Sequence, residues 1–234
     1  MAIKINKYTE LELNSLPYKD ALKNDNRTYC MYYISLIRTK HLLFFSFMPQ
    51  FDYNSRILKI FLFFFNFTTN FIINALFFNE KTMHKIYIEK GTFNFIYNIP
   101  QIIYSSVISG LINAIIKILA LSYSVFTDMK EINNKNTINI EAKKSITILK
   151  IKFFFFFFAS FIFLILFWIY LACFCAVYKN TQIYLIKNTL ISFSTSMIYP
   201  FGLYIIPGIV RIYALKGKNK ECLYEFSKYI QIII

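Results

Sequence analysis

The side chains with the most suggestive spacing in this chain are amides. Asn66, Asn70 and Asn74 recur every fourth position inside the apolar stretch "NFTTNFIINALFFN". An α-helix turns every 3.6 residues, so this spacing returns each amide to nearly the same face. A second apolar stretch repeats the pattern with Gln101, Ser105, Ser109 and Asn113, and beside it run the small residues Ser106, Gly110 and Ala114. In an apolar surround, amides and hydroxyls can bond across to another helix or line a polar path for an ion or solute. Facing hydrocarbon, each would leave donors and acceptors unpaired at a cost of several kcal/mol.

Other chemistry is thinly represented. The two histidines are His41 and His84, and the cysteines are Cys30, Cys173, Cys175 and Cys222. Cys173 and Cys175 point to different sides of a helix, a poor arrangement for a metal pair, and the set is not a disulfide framework. Cys222 lies among basic residues where a palmitoyl group or a plain free thiol would fit. GxSxG, HExxH, P-loop and CxxC motifs are absent. No catalytic group, metal site or cofactor is therefore expected, and the chain is not read as an enzyme.

The elements that must position the amides are membrane spans. The chain is 57% hydrophobic and 20% aromatic, against roughly 45–50% apolar in soluble domains. Its apolar residues gather into runs of about twenty, the length that crosses ~30 Å of hydrocarbon. An all-α polytopic membrane protein is expected, with four spans near 57–78, 99–121, 153–177 and 190–210. Residues 1–28 read as a polar lead-in. Residues 29–48 carry Arg38, Lys40 and His41 within an apolar stretch, so they read as an amphipathic helix at the interface, with Tyr29, Tyr32 and Tyr33 at headgroup level. A short membrane-dipping segment is the alternative. Residues 49–210 form the membrane domain and 211–234 a basic tail. Asn98 is the expected N-cap of the second span, with Pro100 in its first turn. In the fourth span Pro200, Gly202, Pro207 and Gly208 mark kinks, or broken-helix backbone of the kind transporters use.

The net charge is +14. With no nucleic-acid-binding motif, the basic residues read as orientation signals that also meet anionic lipid of the cytosolic leaflet. Alternate loops hold nineteen and five Lys or Arg, which puts both termini in the cytosol. The sequons at Asn26 and Asn66 are then out of reach of glycosylation. The first two spans run antiparallel, so the stripes are expected to face each other or a shared interior, with Asn74 near Gln101, Asn70 level with Ser105 and Asn66 near Ser109. Gly110 and its small neighbours would let the two backbones approach. No Asp or Glu lies inside any span, which favours packing over coupled transport.

Three stretches carry a resemblance: "LPYKDALKNDNRTYCMYYISLIRTKHLLFFSF", "FFNEKTMHKIYIEKGTFNFIYNIPQIIYSSVIS" and "CFCAVYKNTQIYLIKNTLISFSTSMIYPFGLYIIPGIVRI". Together they resemble the C-terminal membrane region of large protist surface proteins, best represented in ciliates. Those proteins carry cysteine-rich, EGF-like or furin-like repeats outside the cell. The resemblance implies a plasma-membrane location. This chain has no such repeats, so it is expected to be a stand-alone or shortened member. Two functions are carried forward: a structural, anchoring or assembly module that meets other membrane proteins or itself, and a small channel or transporter built on the polar faces and the fourth span.

Overall fold

In the computed structural model, residues 8–50, 52–92, 94–122, 135–217 and 220–233 are described. They form eleven helices and no strand. These are α1 (Glu10–Ser15), α2 (Tyr18–Asn24), α3 (Tyr29–Lys40), α4 (Leu42–Phe47), α5 (Arg56–Leu76), α6 (Glu80–Ile88), α7 (Phe95–Ala120), α8 (Lys135–Val177), α9 (Gln182–Leu203), α10 (Ile205–Lys216) and α11 (Glu221–Ile233). Four segments are long and apolar enough to cross a membrane: Arg56–Leu76, Phe95–Ala120, Ala142–Val177 and Gln182–Lys216. This is the architecture of a polytopic helical membrane protein. Part of the polar lead-in (1–7) and of the polar stretch after the second span (123–134) lies outside the described residues.

The helices of the second, third and fourth spans begin before the hydrophobic limits in the sequence, because backbone bonding does not stop where hydropathy does. The second one starts a turn early. Asn94 is its N-cap, the Oδ1 accepting from Tyr97 N at 3.2 Å, and Asn98, expected as the cap, is a buried helix residue. The segment between the first two spans is not a plain loop but holds α6, capped by Asn79.

The chain divides into two compact units. One comprises residues 53–196. Its core joins Ala75 and Phe78 to Met83 and Ile86 of α6, Phe174 of α8, and Tyr184 and Leu185 of α9. The phenylalanine run at 153–158 shows why six identical residues cannot all pack. A helix sprays consecutive side chains around its axis. Phe156 alone is fully buried, edge-on to Phe61 at 5.4 Å, while Phe154, Phe155, Phe157 and Phe158 are exposed.

The other unit comprises residues 1–52 and 197–234. Thr9 and Glu12 form a capping box at the start of α1. Residues 29–48, expected as a single interfacial helix, are two helices broken at His41. Tyr32 is buried with Leu36 against Tyr204. His41 is buried as well, its Nε2 donating to the Met197 carbonyl at 2.7 Å. Burial pushes its imidazole below the ordinary value, although that bond pulls the other way. It is therefore a neutral donor rather than a third cation beside Arg38 and Lys40. Between α9 and α10 the chain breaks at Tyr204, whose backbone stays near helical at φ −67° and ψ −13°. Pro207 has no N–H to return to the Leu203 carbonyl, which accounts for the break at that point. Gly202 faces open space, whereas a Cβ on Gly208 would stand 2.8 Å from the Tyr29 ring. Gly208 thus admits α3, and Pro200 lies inside α9 without ending it.

Candidate functional site

Within residues 53–196 the amides form a seam shared by three helices rather than two. Asn74 is its hub. Its Nδ2 donates to the Asn70 carbonyl at 3.0 Å and to Asn70 Oδ1 at 2.8 Å. Its Oδ1 accepts from Asn188 Nδ2 of α9 at 3.4 Å, and its carbonyl accepts from Gln101 Nε2 at 3.0 Å. Asn70 Nδ2 donates in turn to Ser109 Oγ at 3.3 Å. The result is a chain of side chains from α9 through α5 to α7. Ser105 and Ser192 share a hydrogen bond of 2.9 Å, and Asn98 Nδ2 donates to the Tyr184 hydroxyl at 2.8 Å.

The expected pairing is shifted by one turn. Asn70 meets Ser109 rather than Ser105, because Ser105 is taken by Ser192. Gln101 does meet Asn74, but at its backbone carbonyl. Asn66 and Asn113 are buried, and the Oδ1 of each has no partner. α9 was the element not anticipated. Tyr184, Asn188, Ser192 and Ser196 repeat the same fourfold spacing, and all are buried. Starting the fourth span at 190 hid this third stripe.

Gly110 is a correction. It was expected to bring the first two spans together, yet it is exposed, and a Cβ there would meet nothing within 4 Å. Ala114 is exposed too, beside Val107 and Leu111. The seam takes one face of α7, so the small residues, about 100° or more around the helix, look outward. Gly110→Leu should therefore leave the folded chain's stability within about 0.5 kcal/mol of the parent, as at other unencumbered surface sites. The melting midpoint of the monomer in detergent, where lost association at this face does not register, checks this, and a fall of about 5 °C or more would contradict it.

A second polar cluster, missed in the sequence, lies in the unit of residues 1–52 and 197–234. Arg211 is fully buried. It donates to Asp25 Oδ2 at 2.9 Å, to the Leu13 carbonyl at 2.7 Å and to the Asn14 carbonyl at 3.1 Å. Arg27 clasps the same carboxylate, with Nε at 2.7 Å and an Nη at 2.8 Å, and also donates to Asn14 Oδ1. The Arg211 guanidinium lies 4.9 Å from the Tyr32 ring centre and 4.6 Å from that of Tyr224. Gln231 donates to the Tyr32 hydroxyl. Burial alone would raise the Asp25 carboxyl, but the bonds and charges of Arg27 and Arg211 outweigh it and hold it below the ordinary value. Burial pushes both Tyr32 and Tyr224 up to about 12, against the pull of Arg211. With its phenols protonated and its carboxylate doubly paired, the cluster offers neither a base nor a nucleophile. It is an ionic bolt that joins chain segments 186 residues apart. Asn14, Asp25 and Arg27 were read as lead-in, Tyr32 as part of the interfacial helix, and Arg211, Tyr224 and Gln231 as tail, since nothing local marks a partner that distant.

Among the described residues no group of three or more His, Cys, Asp and Glu could hold a metal ion. His84 is exposed, as expected of a solvated residue. Cys30, Cys173 and Cys222 are exposed thiols and Cys175 is half-buried. The amide seam offers neutral donors and acceptors, and no group of it is a base or nucleophile. Compared with protein-family models, with curated proteins and with solved structures, the chain matches none.

Proposed function

We propose that this membrane protein is an assembly module, which joins a second copy of itself or another membrane protein through the outward face of α7. One observation carries the reading. The amides of the seam are engaged with one another inside the chain, while Gly110 and Ala114, residues that let helices approach closely, are exposed and turned away from it, with Ser106 half-buried beside them. A single cysteine at position 110, with the four native cysteines replaced, is expected to cross-link to itself in native membranes under mild oxidation. Gly110→Leu is expected to abolish association at that face. A cysteine at 110 that forms no cross-linked species, with itself or with a neighbour, overturns the reading.

The module is oriented with both termini in the cytosol, as the nineteen-to-five bias of basic residues supports. The plasma membrane is the membrane proposed, on the resemblance to protist surface proteins. Cysteines replacing Lys143 and Lys144 should be inaccessible to an impermeant thiol reagent added to intact cells. Labelling from outside would reverse the orientation. A channel or transporter is the second reading, supported by the buried amide oxygens of the seam that have no partner in the chain. Flux through liposomes holding the purified protein would favour it over assembly.

A further inference from the structure

The amides at the α6 end of the seam have orientations fixed by their neighbours. A backbone carbonyl can only accept, so the Asn74 atom facing the Asn70 carbonyl at 3.0 Å must be Nδ2. Asn74 Oδ1 is then an acceptor, and the Asn188 atom that reaches it must be Nδ2. This leaves Asn188 Oδ1 buried without a partner. The same logic applies to Asn98, whose Nδ2 donates to the Asn94 carbonyl and leaves its Oδ1 buried without a partner. Asn98 and Asn188 are both at least 99% buried. They are joined through Tyr184, which bonds Asn98 and lies one turn before Asn188 on α9. Gln101 spends its Nε2 on the Asn74 carbonyl, so its Oε1 is also an acceptor. Thr189, next in the chain, has a buried hydroxyl without a partner too, but it lies about 100° around α9 from Asn188 and is not part of this group.

Asn98, Gln101 and Asn188 therefore offer a surplus of neutral oxygen acceptors, and none of them is a carboxylate, although the Glu89 charge reaches Tyr184. Each unpaired buried acceptor costs about 1–3 kcal/mol, and hydrocarbon supplies nothing to pair it. Hard cations take oxygen ligands of this kind. Divalent ions bind through carboxylates, which these three lack, whereas rings of neutral carbonyl dipoles suit a monovalent ion. We propose that Asn98, Gln101 and Asn188 bind a monovalent alkali cation between α7 and α9. The ion would draw the two helices together at the α6 end, and it does not depend on the assembly role of α7.

The full-length protein in detergent tests this, with sodium, potassium or N-methylglucamine as the only cation of the chloride buffer. A saturating ion that binds only the folded chain should raise the melting midpoint by about 5 °C in at least one alkali salt over N-methylglucamine. Asn188→Leu should lose most of that rise. Ser106→Ala, whose hydroxyl bonds its own helix at the Ile103 carbonyl, should keep it. Should Asn188→Leu not accumulate, retention of radiolabelled sodium or rubidium by the unaltered protein decides the matter. Equal midpoints in all three salts overturn the proposal, with water then pairing the oxygens. So does an undiminished rise in Asn188→Leu, or no retained label.

Discussion

Replacing Asp25 with Asn should destabilise the protein by about 3–5 kcal/mol, the usual cost of breaking a buried ion pair from one side. The shape of the side chain is kept and only the charge is lost. Arg211 would then sit fully buried with two carbonyls, an amide oxygen and two tyrosine rings, and no counter-charge. In a chain of this size the thermal midpoint should fall by roughly 10 °C. An unmoved midpoint would mean that Arg211 is hydrated after all. Adding Arg211→Met to Asp25→Asn should restore part of the loss, because it removes the stranded charge, and that non-additivity separates an ion pair from general damage. The pH dependence has a definite sign. The Asp25 carboxyl is depressed in the folded state, so its contribution is complete above the unfolded value near 3.9 and is lost as pH falls through the lower folded value. Stability should be level from about pH 7 to 5 in this respect and decline below about 4, and Asp25→Asn should flatten that acid limb.

The second expected result is an ordering along one helix face. Asn74→Leu should cost about 2 kcal/mol. It removes the hub and strands Asn188 Nδ2 and Asn70 Oδ1, and buried groups left unpaired cost more than the bonds themselves contribute. Asn70→Leu should cost about 1 kcal/mol, since it loses the Ser109 bond but leaves Asn74 its bond to the backbone. Asn66→Leu should be neutral or stabilising, because the Asn66 oxygen has no partner to lose. Midpoints of the three variants in one detergent read the order directly. If Asn66→Leu is as harmful as Asn74→Leu, the three asparagines act as an undifferentiated stripe and the hub assignment is wrong. The same register requires that cysteines at 70 and 109 cross-link more readily than those at 70 and 105.

These two tests fall on residues of unequal legibility. Asn74 was visible as a polar position because its neighbours are apolar and the helical period is local. Its partner Asn188 carries the same signal, but it sits beside Lys187 and so reads as loop. Asp25 carried no signal at all. It lies in a polar stretch where a carboxylate is unremarkable, and only chain closure over nearly the whole length brings Arg211 to it.

The sequence by itself determined the class, the four spans and the faces on which polar residues line up. Hydropathy summed over about twenty residues and a 3.6-residue repeat are properties of contiguous chain, and the bilayer acts on them before any helix meets another. Only the tertiary structure decided which turn of α7 meets which turn of α5, that α9 supplies the third side of the seam, and that Gly110 looks outward. The reason lies in the solvent. In water a helix hides its apolar side, so its pattern names the side that packs. In hydrocarbon an apolar side is as well placed against lipid as against another helix, so the apolar pattern of α7 does not name what packs on it. The choice of side and register then rests on hydrogen bonds such as Ser105 to Ser192 and Asn70 to Ser109, which exist only once three helices have come together.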